Sequence, residues 1–188
     1  GFVLRGIFLF RRAEVDWFLD GMGRFFPEAA AAFRHHLPAE ERGDPLAAYY
    51  RRLCDPDPKI HRPAAEAWCR YEESCSRLVP RGAAGGGSLA MARIEAHYMT
   101  HGGFLEEGEL LAHVGRLAAH PAVMVQGRYD MVCPPWTAHE LAAVWPSAEL
   151  VMVPEAGHSA LEAETRRALV AALDRVADRV GPGAAGGG

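Results

Sequence analysis

The last third of the chain alternates between short apolar runs and helical periods, and this pattern most restricts the fold. Two apolar runs, at residues 122–125 and 149–153, flank a helical segment at 136–145, and a last helix follows at 163–180. Parallel neighbouring strands need such a crossover helix, and the connection between them is almost always right-handed. The pattern therefore predicts an α/β fold with a mostly parallel sheet.

A long helical block separates these strands from an earlier apolar run. Residues 2–9 form a short run that is typical of a strand buried on both faces. Helical periodicity then extends from Arg12 to about His120. Proline start signals predict three helices in this block, at residues 28–37, 46–53 and 64–78, opened by Pro27, Asp44-Pro45 and Pro63.

A helical block inserted between strands predicts a cap on a sheet core. We expect residues 1–10 and 119–180 to form an incomplete core and residues 11–118 to form the helical cap. A cap of this kind lies over the carboxyl ends of the strands, where α/β proteins bind ligands. The segment Gly-Ala-Ala-Gly-Gly-Gly occurs at 82–87 and 183–188. It predicts a flexible loop inside the cap and a disordered tail over residues 181–188.

Two polar residues follow the last two predicted strands. Asp130 stands in Gly127-Arg128-Tyr129-Asp130, and His158 stands in Gly157-His158-Ser159. Neighbouring strand ends of a parallel sheet converge on one crevice, where a carboxylate can orient an imidazole and stabilise its protonated form. The pair is typical of the acid and base of a hydrolase triad. We expect Gly127 and Gly157 to supply sharp turns beside them. The alternative is a turn aspartate and a loop histidine that never meet.

Composition and charge argue against several classes of function. The formal net charge is -4, and the basic residues are scattered, which disfavours a nucleic-acid surface. The apolar start is too short to cross a bilayer, carries Arg5 and lacks a signal-peptide cleavage site. We therefore predict no nucleic-acid or membrane partner and a cytoplasmic location.

Metal and disulfide sites are also disfavoured. The four cysteines have no Cys-x-x-Cys spacing and no clustered histidine partners, which predicts reduced thiols. His97 and His101 stand four residues apart on a predicted helix, but no His-Glu-x-x-His pattern or third ligand accompanies them. We interpret them as an ordinary helical surface pair and predict no metal.

Several motifs in consecutive order resemble the proline iminopeptidases, prolyl aminopeptidases of the α/β-hydrolase fold. The resemblance runs from residue 1 to about residue 180, and the matching motifs are residues 3–8, 40–46, 92–98, 127–130 and 156–159. It implies an α/β-hydrolase core with an inserted helical cap. It also implies a serine exopeptidase that releases N-terminal proline from peptides with a serine, an aspartate and a histidine, and without a metal or organic cofactor.

The resemblance assigns roles to the polar residues. It implies that Asp130 is the triad acid and His158 the general base. It also implies that Glu72 and Glu95 bind the free amino group of the peptide substrate, with Glu73 as an alternative to Glu72. Carboxylates in a dry cleft suit an N-terminal ammonium group. The alternative for these glutamates is charge on an exposed helix face.

Three more residues match positions that line the proline pocket or its rim. They are Phe8, Trp17 and Arg5. Phe8 and Trp17 are equally compatible with core aromatic residues, and Arg5 with a structural ion pair.

The nucleophile of the family has no counterpart in this chain. The Gly-x-Ser-x-Gly elbow and the His-Gly-Gly-Pro oxyanion segment precede the strand with which the chain opens. Ser88, in Gly86-Gly87-Ser88-Leu89-Ala90, follows a glycine-rich coil, whereas a nucleophile elbow follows a strand. We interpret Ser88 as a helix N-cap. We therefore expect the isolated chain to be an inactive fragment.

Two other readings remain open. Another capped α/β hydrolase, such as an esterase or an epoxide or haloalkane hydrolase, would share the aspartate and histidine loops but not the glutamate pair. A non-enzymatic fragment or interaction module is the second reading.

Overall fold

The computed structural model describes residues 1–79 and 88–181. The described residues contain three strands, β1 (Phe2–Arg5), β2 (Ala122–Gly127) and β3 (Ala148–Val153). They also contain the helices α1 (Arg12–Asp16), α2 (Pro27–His35), α3 (Pro45–Leu53), α4 (Pro58–Cys75), α5 (Leu89–Thr100), α6 (Glu109–His113), α7 (Pro135–Ala143) and α8 (Ala163–Val180). A π-helical turn at Trp17–Gly21 follows α1. The glycine-rich segments predicted at 82–87 and 183–188 lie outside the described residues.

The three strands form one parallel sheet with β2 in the middle. The register aligns Ala122 with Phe2 on one side and with Ala148 on the other. Because all three strands run in the same direction, the loops after β2 and β3 start from the same edge of the sheet. The predicted mostly parallel α/β sheet is therefore confirmed.

The residues of β2 alternate between two hydrophobic clusters. Ala122 and Met124 pack in one cluster with Leu141 of α7. Val123 packs in the other with Ala172 of α8. All six residues of β2 are buried, because helices cover both faces of the sheet at this strand. This arrangement explains why the strand is a continuous apolar run rather than an alternating one.

The chain divides into two compact units. The sheet unit comprises Gly1–Leu9, Ser76–Leu78 and the described residues from Gly108 onward. The helical unit comprises Phe10–Cys75 and the described residues of Val79–Glu107. The sheet unit thus includes residues 108–118 and the short segment 76–78, which the sequence-based division assigned to the cap.

Aromatic side chains form the core of the helical unit. Phe33 of α2 stacks on Tyr49 of α3, with ring centroids 4.3 Å apart, and on Tyr71 of α4 at 4.5 Å. Trp68 and Phe18 complete the cluster, and all five side chains are buried. These rings join α2, α3 and α4 into one packed layer.

The start of α4 differs from the prediction. Pro63 was expected to open this helix, but it lies inside it, and the helix begins at Pro58. Asp57 provides the start, because its Oδ1 accepts a hydrogen bond from the backbone N–H of Lys59 at 2.8 Å. Asp57-Pro58 therefore repeats the Asp44-Pro45 signal of α3, and Pro63 costs the helix one internal hydrogen bond.

None of the helices in the described part of the chain is long and apolar enough to cross a membrane.

Candidate active site

Asp130 lies in the loop after β2, with its carboxylate almost completely buried (3% exposed). Its Oδ1 accepts hydrogen bonds from the backbone N–H groups of Val132, at 3.1 Å, and Cys133, at 2.8 Å. Its own N–H donates to the carbonyl of Gly127. These contacts within the loop itself hold the carboxylate in place.

Gln126 supports this loop from inside the protein, and the sequence motifs did not reveal it. Its side chain is buried, and Nε2 donates to the carbonyl of Cys133 at 2.9 Å and of Gly127 at 3.2 Å. The sequence does contain a signal for this role. Gln126 is a polar residue in an otherwise apolar strand, and a buried polar side chain needs hydrogen-bond partners.

His158 lies in the loop after β3 and contacts Asp130. Its Nδ1 is 3.0 Å from Oδ2 and 3.1 Å from Oδ1 of Asp130. The imidazole is largely buried, with 15% of the side chain exposed. The two residues that the sequence predicts as acid and base therefore meet, and the alternative in which they stay apart is wrong.

Gly127 begins a turn, as predicted, because its carbonyl accepts a hydrogen bond from the N–H of Asp130, but positive φ is not what requires glycine at 127 or 157. Neither residue is among those with positive φ. A Cβ on Gly127 would overlap the carbonyl oxygen of Gly157 and lie 2.7 Å from that of Ala156. Gly127 therefore allows the aspartate loop to approach the histidine loop closely, and Gly157 allows the histidine loop to approach residues 76–78.

Arg5, the last residue of β1, contacts the other nitrogen of the imidazole. Its Nη2 lies 2.8 Å from Nε2 of His158. The next residue, Gly6, has φ +59°, and a Cβ there would lie 3.2 Å from Cε1 of the same ring. The end of β1 thus packs on the imidazole, while the predicted contact of Arg5 with substrate stays a prediction.

These contacts define the tautomer of the neutral imidazole. A guanidinium group only donates hydrogen bonds, so Nε2 of His158 accepts, and the neutral ring carries its proton on Nδ1 and donates it to Asp130. This tautomer leaves Nε2 as the basic nitrogen, and the Asp130 charge stabilises the imidazolium that forms when Nε2 takes a proton. Base action at Nε2 requires Arg5 to give up its contact.

The two predicted aromatic pocket residues lie in different units. Phe8 belongs to the sheet unit and is half-buried. Its neighbours in sequence, Ile7 and Leu9, are buried in the hydrophobic core. Trp17 belongs to the helical unit, begins the π-helical turn, and lies with its ring centroid 6.2 Å from that of Phe25. π-Helical turns are frequent at functional sites. The substrate roles of both residues stay predictions.

The predicted glutamate pair lies on the adjacent helices α4 and α5. Glu72 and Glu95 are both half-buried, whereas Glu73 is exposed. The indole Nε1 of Trp68 donates to Oε2 of Glu95 at 2.8 Å. Burial and, after it, the charges of Glu72 and Glu95 raise the pKa of the Cys69 thiol to about 11. Both carboxylates therefore lie near the same thiol.

Ser88 caps a helix, as the sequence predicts. Its Oγ accepts a hydrogen bond from the backbone N–H of Met91 at 3.2 Å, at the start of α5. His97 lies on the same helix and contacts the hydroxyl of Tyr50 through Nδ1 at 2.7 Å. Across the residues that the structure covers, histidine, cysteine and acidic side chains form no group of three or more that could hold a metal ion.

Known proteins resemble the chain over nearly its whole length. It is 45% identical over 183 residues to a probable proline iminopeptidase of Leptolyngbya boryana, covering 93% of this chain and 57% of that protein. It is 44% identical over 180 residues to the proline iminopeptidase of Xanthomonas citri, covering 92% and 58%. The proline iminopeptidase of Arabidopsis thaliana is 40% identical over 185 residues, covering 94% and 49%.

The chain is a relative of the proline iminopeptidases. An α/β-hydrolase family model, described as TAP-like protein, matches residues 106–175, the part that contains Asp130 and His158. The predicted resemblance and the α/β-hydrolase fold are therefore confirmed. The chain spans between about half and three fifths of the length of these curated relatives.

Proposed function

We propose that the chain supplies the acid and base of a prolyl aminopeptidase that releases N-terminal proline from peptides. The observation that carries the proposal is the contact of the buried Asp130 carboxylate with Nδ1 of His158, at 3.0 Å, in the loops after two parallel strands. The relatives named above support the choice of reaction, because each is called a proline iminopeptidase or a probable one.

In this mechanism His158 takes the proton of a serine hydroxyl through Nε2. The serine oxygen attacks the carbonyl carbon of the proline residue, and the imidazolium then donates its proton to the departing amine. Water repeats the sequence on the resulting ester and releases proline. Glu72 and Glu95 bind the free ammonium group of the substrate, which an internal peptide bond lacks.

The test uses the chain joined to a serine-bearing amino-terminal segment that contains the Gly-x-Ser-x-Gly motif implied by the resemblance. We call this protein the joined polypeptide. The substrate is an amide formed between the carboxyl group of proline and a chromogenic amine, and we expect the joined polypeptide to release the amine. A matched substrate with an acetylated proline nitrogen is the control, and it should react poorly because acetylation removes the positive charge.

The outcome separates the proposal from other capped hydrolases. Equal rates on the free and acetylated substrates would contradict an aminopeptidase. Cleavage of simple esters alone would indicate an esterase. The absence of any activity from a folded joined polypeptide would contradict a catalytic role for the Asp130 and His158 pair.

The substrate and the cofactor requirement of the reaction are also proposals. We propose that peptides with a free N-terminal proline are the partner and that the reaction needs no metal or organic cofactor. The cytoplasmic location predicted from the sequence stays a prediction.

A further inference from the structure

Glu162 bridges the loop of His158 to a second segment of the sheet unit. Its Oε2 accepts a hydrogen bond from the backbone N–H of Gly157 at 2.6 Å, one residue before the histidine. Its Oε1 accepts from the backbone N–H of Leu78 at 3.0 Å. Hydrogen bonds to a carboxylate are stronger than those to a neutral acceptor. One side chain therefore holds two distant stretches of backbone together.

The segment Ser76–Leu78 also binds the histidine loop directly. The carbonyl of Ser76 accepts hydrogen bonds from the backbone N–H groups of His158 and Ser159, both at 2.9 Å. Gly157 lies so close to this segment that a Cβ would be 2.9 Å from the nitrogen of Leu78 and 3.0 Å from the oxygen of Ser76. The loop therefore depends on the position of this segment.

Helix capping does not explain the glutamate at this position. Glu162 is the N-cap residue of α8, yet its side chain makes no capping hydrogen bond. Serine, threonine, aspartate and asparagine are the preferred N-caps, because their short side chains reach the N–H groups of the first turn. The longer glutamate side chain instead reaches back to Gly157 and across to Leu78. The contacts it makes are those of a bridge.

We propose that Glu162 is a positioning residue for His158. Its carboxylate fixes the segment Ser76–Leu78, and the Ser76 carbonyl then holds the backbone of His158 so that Nδ1 stays within reach of Asp130. The proposal rests on the proposed role of His158 as the general base. It adds a residue that touches neither the substrate nor the reacting atoms.

Amide hydrogen exchange of the 188-residue chain tests the bridge without any activity measurement. In Glu162→Ala we expect at least about tenfold faster exchange of four N–H groups, those of Gly157, Leu78, His158 and Ser159. Local opening of the loop costs less free energy in this variant, because it no longer has to break the hydrogen bonds of the carboxylate. Glu162→Gln retains one carbonyl acceptor, so either Gly157 or Leu78 should keep its protection. The N–H of Val125 in β2 should not change.

Glu164→Gln is the matched control. Glu164 also lies at the start of α8 and is exposed, with its carboxylate paired to Arg167. This variant removes the same charge near the same helix end but leaves the bridge intact. We expect all four amides to exchange as in the parent chain.

Kinetics of the joined polypeptide test the consequence for His158. We expect Glu162→Ala to lower kcat at least about tenfold with little change in KM, because the imidazole is displaced while the substrate contacts remain. Glu164→Gln should leave both values unchanged. We expect kcat of Glu162→Gln to lie between those of Glu162→Ala and the parent, because the glutamine retains one carbonyl oxygen that can accept a hydrogen bond.

Two results would overturn the inference. The first is that the amides of His158 and Ser159 exchange in Glu162→Ala as slowly as in the parent chain. If circular dichroism shows that this variant is unfolded, the same result at both Gly157 and Leu78 in Glu162→Gln takes its place. The second is an active joined polypeptide whose kcat is unaffected by loss of the carboxylate. A parental joined polypeptide that releases no proline contradicts the proposed function instead, and the exchange data then decide the bridge alone.

Discussion

The bond between Asp130 and His158 fixes which nitrogen of the imidazole is basic. In Asp130→Asn the amide can donate to Nδ1, which favours the tautomer with its proton on Nε2. We expect kcat of the joined polypeptide to fall by roughly 10³–10⁴ with the fold retained. Nitrogen-15 spectra of the 188-residue chain should show the proton of His158 moving from Nδ1 to Nε2, with loss of the contact between Nε2 and the Arg5 guanidinium, which can only donate.

Asp174→Asn is the control for the loss of one charge. Asp174 is exposed on α8 and belongs to the same unit. It should leave kcat and the tautomer of His158 unchanged. An Asp130→Asn variant with parental kcat would show that the contact has no part in the reaction.

His36 gives the chain a dependence of stability on pH. Burial, and then the charge of Arg52, lower the pKa of His36 from its ordinary value of 6.5. The unfolded state therefore binds a proton before the folded state does as the pH falls, so this residue lowers the free energy of unfolding below about pH 6.5. Its ring stacks on Tyr49, with centroids 5.7 Å apart.

We expect His36→Phe to keep the ring packing and reduce this loss. Between about pH 7.5 and pH 5.5, its Tm should fall less than that of the parent chain. His35→Phe is the matched control, since the neighbouring histidine is exposed and the variant should keep the parental pH dependence. Equal slopes in all three chains would contradict the role of His36.

The sequence was sufficient to find Asp130 and His158 but not the residues that hold them. Each of the pair follows a recognisable apolar run and lies in a short motif. Gln126 and Glu162 act through backbone N–H and carbonyl groups of loops, and such contacts leave no spacing pattern in the sequence. The contact of Arg5 with His158 joins residues 153 positions apart, so it depends on the register of the sheet.

Among the helices, α4 shows where start signals mislead. Pro63 and Pro58 both fit the preference for proline in the first turn, and only the capping contact of Asp57 distinguishes them. The last helix was predicted with its observed bounds, Ala163–Val180, because nothing within it competes with the helical period. In α4 the residue before the proline therefore decides where the helix starts.

We expect Pro63→Ala to stabilise the helical unit. The alanine restores an N–H donor for the carbonyl four residues earlier and removes the clash of the proline ring, so the free energy of unfolding should rise by about 1–3 kcal/mol. Pro58→Ala is the control, because the backbone N–H of the first helical residue makes no hydrogen bond within the helix, so restoring it adds none. Urea unfolding monitored by far-ultraviolet circular dichroism measures both, and an unchanged midpoint for Pro63→Ala would contradict the prediction.

The residues with proposed roles are divided between the two units of the chain. Asp130 and His158 belong to the sheet unit, and Glu72 and Glu95 belong to the helical unit. The resemblance predicts roles for both pairs, because it runs through both units. The boundary between the units was harder to predict, since the segment Ser76–Leu78 continues directly from α4 in the chain but packs with the histidine loop.

This division predicts separate kinetic effects. Glu72→Gln removes the charge that we propose binds the substrate ammonium group, but it does not alter the Asp130 and His158 pair. We expect kcat/KM of the joined polypeptide to fall roughly 10–100-fold on proline amides, mainly through KM. The variant should also discriminate less between the free and acetylated substrates, since the ammonium group is what the carboxylate recognises.

Glu73→Gln separates this role from general surface charge. Glu73 is the next residue of α4 and is exposed, whereas Glu72 is half-buried. Its replacement should leave kcat/KM near the parental value. If Glu73→Gln instead shows the loss and Glu72→Gln does not, the ammonium contact belongs to Glu73, and the burial of Glu72 serves only the packing of the helical unit. If neither variant changes the preference for a free amino group, the helical unit does not select the substrate through this pair.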